Sequence, residues 1–290
     1  MNQAKVLNFF GLLLIMFGIS FAIPLFVAIF YGESLIRVFG LGMSILVLMG
    51  FLSWFFTKDN KQELSLSDGF VITVLFWIVL SVSGSIPFIL FGFGVVDSFF
   101  ESMSGITTTG ATVIAGLDDL PKSLLIYRQL LQWLGGMGLI VLAIAVMPLL
   151  GIGGGQLFKT QTPGPMSEQR LTPRITSTAR ALWSIYFVLT VLCIFAYRLA
   201  GMSYFDAVSH AFSTVSIGGF STHDLSIGFF DSLSIEIVCI TFMLLSAMSF
   251  AVHYSAIYRK QVLKYFYDPE LRFFVSLLIV ILGLVCLSLF

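Results

Sequence analysis

Long apolar runs separated by short polar stretches dominate the chain. Each holds roughly twenty mainly apolar residues, the length that an α-helix needs to cross the hydrocarbon core of a bilayer. There are seven such runs, near residues 7–30, 35–56, 69–92, 125–150, 177–200, 232–257 and 272–290. The pattern predicts an all-α protein with seven membrane spans. Pro24 predicts a kink in the first span, and Pro148 predicts a stop near the end of the fourth.

Two shorter apolar segments, 96–107 and 204–215, are too short to cross a bilayer. Each leads into a loop rich in Thr, Ser and Gly, and a long apolar run follows each loop. Irregular backbone is tolerated at membrane depth only where protein or a water-filled path surrounds it. We therefore interpret both segments as re-entrant pore helices, with a first filter loop at 107–112 and a second at 216–221.

The two pore segments are copies of one unit. Aligned at an offset of 109 residues without a gap, they pair Ser104 with Ser213, Thr107 with Ser216, Gly110 with Gly219 and Thr112 with Ser221. The following spans match at an offset of 111, which pairs Gly135-Gly-Met-Gly138 with Ser246-Ala-Met-Ser249. Small residues let helices approach closely in lipid, so these runs are expected to pack against the bulky pore helices. The chain thus repeats a unit of helix, re-entrant loop and helix.

Loops of this composition suit a cation filter, because main-chain carbonyls exposed at membrane depth can replace the hydration shell of an ion. Gly110 and Gly219 would supply the positive φ that lets successive carbonyls face one axis. The negative C-terminal ends of the pore helices would add attraction for a cation. A pair of helix breaks used only for packing is the alternative, and the duplication weighs against it. The predicted cation-binding residues are Thr108, Thr109, Gly110, Ile217, Gly218 and Gly219.

Composition agrees with a membrane location. With 58% hydrophobic residues, 10% charged residues and a mean hydropathy of +1.01, the chain lies outside the range of soluble domains. The net charge of zero gives no basic field for nucleic acid. Eleven of the fifteen Lys and Arg residues fall on one side of the predicted spans: Lys5, Lys58, Lys61, Lys159, Arg170, Arg174, Arg180, Arg259, Lys260, Lys264 and Arg272.

The positive-inside rule places that side, with the N-terminus, in the cytoplasm. The other side holds Arg37, Lys122, Arg128 and Arg198. The filter loops then open outward, where an acidic mouth would concentrate cations. Its predicted members are Asp97, Glu101, Asp118, Asp119, Asp206, Asp224 and Asp231.

Signs of enzymatic or cofactor chemistry are weak. The three histidines share no metal-ligand spacing with Cys, Asp or Glu, and no catalytic constellation is evident. The run Gly151–Gln156 lacks the Lys-Ser/Thr ending of a phosphate-binding loop, so it is interpreted as part of a cytoplasmic linker, 151–175. The cluster of Arg170, Arg174 and Arg180 is either a headgroup-facing helix start or a docking surface for a cytoplasmic partner. We expect a protein that is not an enzyme and binds no cofactor.

Four motifs together resemble the TrkH/TrkG branch of the Trk/Ktr/HKT superfamily of potassium transporters. They are Thr107-Thr-Thr-Gly-Ala-Thr112, Trp133-Leu-Gly-Gly-Met-Gly138, Pro163-Gly-Pro-Met166 with Leu171-Thr-Pro-Arg174, and Phe212-Ser-Thr-Val-Ser-Ile-Gly-Gly-Phe-Ser-Thr-His223. The resemblance implies four fused units of a potassium-channel pore around one path, preceded by two extra helices. It also implies a homodimer in a bacterial inner membrane and a cytoplasmic, nucleotide-binding, TrkA-like protein that controls opening.

On this pattern the chain divides into an N-terminal helix pair at 1–60, a first pore unit at 61–158, a second at 159–265 and the first helix of a third at 266–290. We expect a truncated chain whose missing part would hold the remaining filter loops and the gating residues. A naturally short protein that dimerises into four loops is the alternative.

The expected function is K⁺ uptake through a filter lined by carbonyls. One rival is a secondary transporter that carries another small solute between broken helices, and inverted repeats would mark it. The other is a membrane scaffold that transports nothing, which would need neither paired loops nor an acidic mouth.

Overall fold

The computed structural model describes residues 3–58, 66–146 and 171–289, and over these ranges the chain is helical without strands. In chain order the helices are α1 (Gln3–Ser20), α2 (Ala22–Tyr31), α3 (Ile36–Thr57), α4 (Leu66–Phe91), α5 (Val95–Ile106), α6 (Lys122–Val146), α7 (Leu171–Leu199), α8 (Tyr204–Val215), α9 (Leu233–Ala247), α10 (Phe250–Tyr258), α11 (Lys264–Tyr267) and α12 (Pro269–Leu289). Two 3₁₀ turns, Leu117–Asp119 and Ser226–Phe230, lie in the connections after the filter loops.

Within the described ranges, five stretches have the length and hydropathy of a membrane span. They are Gln3–Tyr31, Ile36–Thr57, Asp68–Phe91, Arg180–Leu199 and Pro269–Ser288, and α9 with α10 makes a sixth if the bent pair counts as one span. Helix α6 corresponds to the predicted span 125–150. The predicted stop at Pro148 and the glycine-rich run 151–156 lie outside the described residues. A multi-pass helical membrane protein is thus confirmed.

The first span is broken where its proline requires. Pro24 has no amide hydrogen and its ring crowds the carbonyl four residues earlier, which belongs to Ser20. Helix α1 ends at Ser20, and α2 begins at Ala22. The helix is thus interrupted at Phe21, one turn ahead of the proline itself, and the kink stays a prediction. Helix α7 begins at Leu171, earlier than predicted, and Pro173 falls in its first turn, where proline is tolerated.

The sixth predicted span, 232–257, is not one helix. Helix α9 ends at Ala247, and α10 restarts at Phe250 after an extended stretch, with a bend of 93° between the two axes. The break frees the carbonyl of Leu245, which accepts a hydrogen bond from Nε2 of His253 at 2.8 Å. Nδ1 of the same ring bonds the hydroxyl of Tyr265 at 2.7 Å. A side chain thus satisfies the backbone group that the helix no longer satisfies.

The N-terminal helices pack on the first pore unit. Helix α1 lies along α3, and Gly11 and Gly50 allow this approach: a Cβ on Gly11 would be 2.9 Å from the Gly50 carbonyl oxygen. The ring of Tyr127 in α6 packs within 5.2 to 5.4 Å of the rings of Phe21, Phe39 and Phe88. Its hydroxyl donates to the carbonyl of Gly84 at 2.6 Å. The buried core of the first unit therefore includes residues from the N-terminal pair.

The two pore units have the same internal arrangement. Helix α5 contacts α4 and α6 in the first unit, and α8 contacts α7 and α9 in the second. Both pore helices have 12 residues and begin and end at the predicted offset. Their bounds lie within one residue of the predicted segments 96–107 and 204–215. Helix α6 also contacts α8, so it joins the two units.

Candidate functional site: the two filter loops

The first filter loop begins as a cap on α5. The amide of Thr109 donates to the carbonyl of Ser104 at 2.9 Å, and the amide of Thr108 donates to that of Gly105 at 3.0 Å. This pair of bonds forms a Schellman motif, which satisfies the last helical carbonyls and requires a left-handed residue after the cap. Thr108 takes that conformation, with φ of 54°. The hydroxyl of Thr107 adds a bond to the carbonyl of Met103 at 2.7 Å.

The second loop repeats this cap at the same offset. The amide of Gly218 donates to the carbonyl of Ser213 at 2.8 Å, and that of Ile217 donates to Thr214 at 3.1 Å. Ile217 is left-handed with φ of 55°, and the hydroxyl of Ser216 donates to the carbonyl of Phe212 at 2.8 Å. Because every bond has its counterpart in the first loop, the repeat seen in the sequence is also a repeat of backbone conformation.

Sequence reasoning assigned positive φ to the two glycines and missed Thr108 and Ile217. Gly110 and Gly219 do have positive φ, at 77° and 87°. The other two residues are β-branched, for which a left-handed conformation costs about 1–2 kcal/mol relative to ordinary backbone. Such strain persists only where surrounding contacts impose it, and it clusters at functional sites. The Schellman bonds impose it here, and no residue-type signal at these two positions could have indicated it.

The loops meet each other at their glycines. A Cβ built on Gly110 would overlap the carbonyl oxygen of Gly218, while one built on Gly219 would have only the Gly110 Cα nearby, at 4.0 Å. Gly218 is itself packed on the side chain of Gln132 in α6. The carbonyl of that side chain accepts the amide of Phe220 at 3.0 Å. The six predicted filter residues are thus brought together in two touching loops, and their coordination of K⁺ stays a prediction.

Exposure is uneven across the loops. Thr109, Ile217 and Gly219 are exposed, whereas Gly218 is buried between Gln132 and the first loop. Each loop therefore has at least one exposed residue beside its buried contacts.

The small residues of α6 contact both pore elements, as predicted. A Cβ on Gly135 would overlap the carbonyl oxygen of Ile106, the last residue of α5. A Cβ on Gly136 would lie 2.9 Å from the Tyr186 hydroxyl and 3.1 Å from the Cβ of Ser216. In the second unit the matching residue Ser246 is buried, but α9 ends one residue later. The packing role predicted for the whole Ser246–Ser249 run is therefore wrong at the helix break.

Several predicted mouth residues tie the outer connections together. Nδ1 of His223 lies 2.5 Å from the carboxylate of Asp118, and this bond lowers the pKa of Asp118. The Asp224 carboxylate accepts the amides of Gly116 and Leu117, both at 3.1 Å. Because connections that follow the two filter loops meet at one end of the molecule, the two units run in the same direction. An inverted repeat would place them at opposite ends.

Glu101 is not a mouth residue, contrary to the sequence interpretation. Its side chain is 1% exposed and pairs with Arg128, which is fully buried, at 2.8 Å. Arg128 was counted among the outer basic residues, yet it lies in the second turn of α6. The hydroxyl of Thr112 donates to the Glu101 carboxylate at 3.0 Å. An arginine inside an apolar run is expected to have a buried partner, and that signal could have identified this pair.

The second unit has a histidine at the place of Glu101. Nε2 of His210 bonds the hydroxyl of Ser221 at 2.9 Å, as Glu101 bonds the matching Thr112. Nδ1 of the ring faces the carbonyl of Asp206 at 3.0 Å. Since a carbonyl can only accept, the proton of a neutral ring lies on Nδ1, and Nε2 accepts from Ser221. Position 101 and position 210 therefore support their loops in the same way with different chemistry.

Comparison with known proteins gives a family match over most of the chain. A family model described as TrkH, cation transport protein, matches residues 35–290. The Trk system potassium uptake protein TrkH of Halomonas elongata is 48% identical over 291 residues, which cover 99% of this chain and 60% of that protein. The protein of the same name from Escherichia coli K12 is 44% identical over 279 residues, covering 95% of this chain and 58% of that protein.

A solved structure matches the fold. It is the crystal structure of the potassium transporter TrkH from Vibrio parahaemolyticus, with a TM-score of 0.87 and 46% identity over 99% of this chain and 58% of that one. The chain thus spans about 60% of the length of the curated relatives it matches. These matches confirm the resemblance that the four motifs indicated.

Proposed function

The chain belongs to the TrkH family of cation transport proteins, and on this premise we propose that its two pore units form part of a path for K⁺ uptake across the bacterial inner membrane. The observation on which this rests is the repeat of one backbone conformation in two loops that touch at Gly110 and Gly218. Relatives that share 44–48% identity are named potassium uptake proteins.

In the proposed mechanism, carbonyls of the six filter residues replace water around K⁺. Thr108 and Ile217 are left-handed, and each glycine two residues later is left-handed again. Alternation of this kind can turn successive carbonyls toward one side, where a cation would lose part of its hydration shell. The Schellman bonds hold this conformation before an ion arrives. Because the carbonyls are preorganised in this way, the backbone does not have to rearrange when the ion binds.

A closed filter needs more carbonyls than these two loops supply. Replacement of a hydration shell takes rings of carbonyls, and both loops have exposed residues, Thr109 in the first and Ile217 and Gly219 in the second. Further loops would come from additional pore units or from a second copy of the chain. By resemblance, the working assembly is a homodimer with its N-terminus in the cytoplasm, regulated by a TrkA-like nucleotide-binding protein.

The test is uptake of K⁺ by cells that lack their own potassium uptake systems. Cells that carry the complete gene should grow at limiting K⁺ and should accumulate K⁺ in preference to Na⁺. The 290-residue chain, purified and reconstituted alone, should conduct only as an assembly of several copies. No rescue of growth would contradict the function. Selective K⁺ flux from a preparation shown by mass to be monomeric would contradict the architecture.

The rival transporter class receives little support. Broken helices related by inverted repeats would be expected, and α9 with α10 is such a break. The corresponding helix of the first unit, α6, is continuous over Lys122–Val146, and the outer contacts favour parallel units. A scaffold that transports nothing would have no need for two strained, matching loops.

A further inference from the structure

One guanidinium group connects the two filter loops. Nε of Arg128 donates to Glu101 at 2.8 Å, and Nη2 donates to the hydroxyl of Thr112 in the first loop at 3.1 Å. Nη1 donates to the main-chain carbonyl of Ser221 in the second loop at 2.9 Å. The guanidinium also lies over the ring of Phe220, with its carbon 4.4 Å from the ring centroid. All three arms of the planar group are used, and two of them reach different loops.

The contact points have equivalent places in the two loops. Thr112 follows Gly110 by two residues, and Ser221 follows Gly219 by two residues. Arg128 therefore joins the loops immediately beyond their filter glycines. Glu101 also contacts the first loop directly, because its carboxylate accepts the amide of Val113 at 3.3 Å.

Among the described residues, the arginine link belongs to the first unit and has no counterpart arginine in the second. At the offset that matches α6 with α9, the counterpart of Arg128 is Cys239, which has no charge. His210 bonds Ser221 and the carbonyl of Asp206, both within its own unit. The second loop thus takes part of its support from the first unit, through Arg128 and, nearer the glycines, through Gln132.

A hydrophobic pair of similar volume would often be more favourable here than a buried ion pair, since removing two charges from water is costly. A buried ion pair stabilises the fold only weakly but can fix a unique geometry, because a planar guanidinium binds three acceptors only at set positions. A filter that separates K⁺ from the smaller Na⁺ by the spacing of its carbonyls depends on a geometry of that kind.

We propose that Arg128, held by Glu101, is a positioning residue that sets the spacing of the two filter loops and with it the preference for K⁺ over Na⁺. This proposal rests on the proposed function. Two variants separate positioning from charge balance. Arg128→Lys keeps the charge beside Glu101 but cannot reach three acceptors with a planar fork. The double variant Glu101→Gln with Arg128→Gln removes both charges together, so that no unpaired charge is buried.

The measurement is K⁺ uptake with Na⁺ as competitor, in cells expressing the complete protein, beside the amount of protein inserted. Both variants should be inserted, and each should lose K⁺ preference by about tenfold or more, because each removes at least one charge-assisted bond of the support. Arg198→Lys is the matched control, because within the described part of the chain that arginine donates to the nearby Met202 carbonyl, at 3.0 Å, and lies over the Tyr204 ring. Its preference should equal that of the wild type.

Wild-type preference in Arg128→Lys would show that Arg128 only balances the charge of Glu101, and it would overturn the proposal. Absence of inserted protein in both variants would assign the pair to folding and would overturn it as well. A wild-type protein that takes up no K⁺ would instead contradict the proposed function, so the two failures are distinguishable.

Discussion

Alanine at the two filter glycines should have unequal effects, although the sequence treats these positions as equivalent. Both residues are left-handed, so alanine at either costs about 1–2 kcal/mol in backbone conformation. At Gly110 the new methyl would also overlap the Gly218 carbonyl oxygen, whereas at Gly219 the nearest atom outside its own neighbours is 4.0 Å away. Overlap in a packed site typically adds about 1–3 kcal/mol.

We therefore expect Gly110→Ala to destabilise the loop conformation by about 2–5 kcal/mol and Gly219→Ala to destabilise it by about 1–2 kcal/mol. Because the displaced atom is a predicted filter carbonyl, the larger loss should appear as weaker K⁺ preference. The assay is K⁺ uptake with Na⁺ competition at matched amounts of inserted protein. A drop in the apparent affinity for K⁺ of tenfold or more separates the two variants, since about 1.4 kcal/mol corresponds to a factor of ten.

Gly228→Ala is the control for alanine near the loops. Gly228 lies in the outer 3₁₀ turn, and a methyl there would have no neighbouring atom within 4 Å. It should behave as the wild type. If Gly219→Ala proved as harmful as Gly110→Ala, the overlap with Gly218 would not govern the filter, and the contact between the loops described above would be unimportant for transport.

Three further predictions follow from other contacts. Gly135→Ala, whose methyl would overlap the Ile106 carbonyl, should lower the unfolding temperature in detergent, while Gly40→Ala, with open space around it, should not. Asp118→Asn should reduce stability at neutral pH, and Asp119→Asn is its control. Because the Asp118 pKa is lowered in the folded protein, the contribution of this carboxylate to stability is present above about pH 4 and is lost as the pH falls further. The difference in stability between Asp118→Asn and the wild type should therefore vanish in acid. A cysteine at exposed Leu225 should react with an impermeant thiol reagent added outside, and one at exposed Val262 should not; the reverse result would invert the proposed orientation.

The pore helices were predictable because two independent signals coincided at each of them. Their apolar segments are too short for a span, and the loops after them recur at one offset. The interruption near Pro24 was equally predictable, because the ring of a proline crowds the carbonyl four residues earlier. In contrast, the break between α9 and α10 has no proline or glycine to announce it, and it depends on a bond from His253 to the freed carbonyl of Leu245.

Within the site, the glycines were predictable and their supports were not. Glycine as a residue type indicates positive φ at Gly110 and Gly219. Thr108 and Ile217 take positive φ because hydrogen bonds impose it, although their residue types disfavour that conformation. Glu101 was assigned to the mouth because charge near a predicted outer end usually faces water. Its burial depends on Arg128, and the place of that arginine inside an apolar run was the one sequence signal for the pair.

The Schellman caps have a consequence for how a duplicated gene can diverge. All of the bonds that bend each filter loop join residues at most five positions apart, so each copy carries the instructions for its own bend. The supporting positions can therefore differ between the copies, and here one copy has Glu101 where the other has His210. An ancestral unit of this kind could acquire unlike neighbours at each interface without losing its loop. Two copies of such a segment can therefore keep the same backbone conformation while the side chains around them differ.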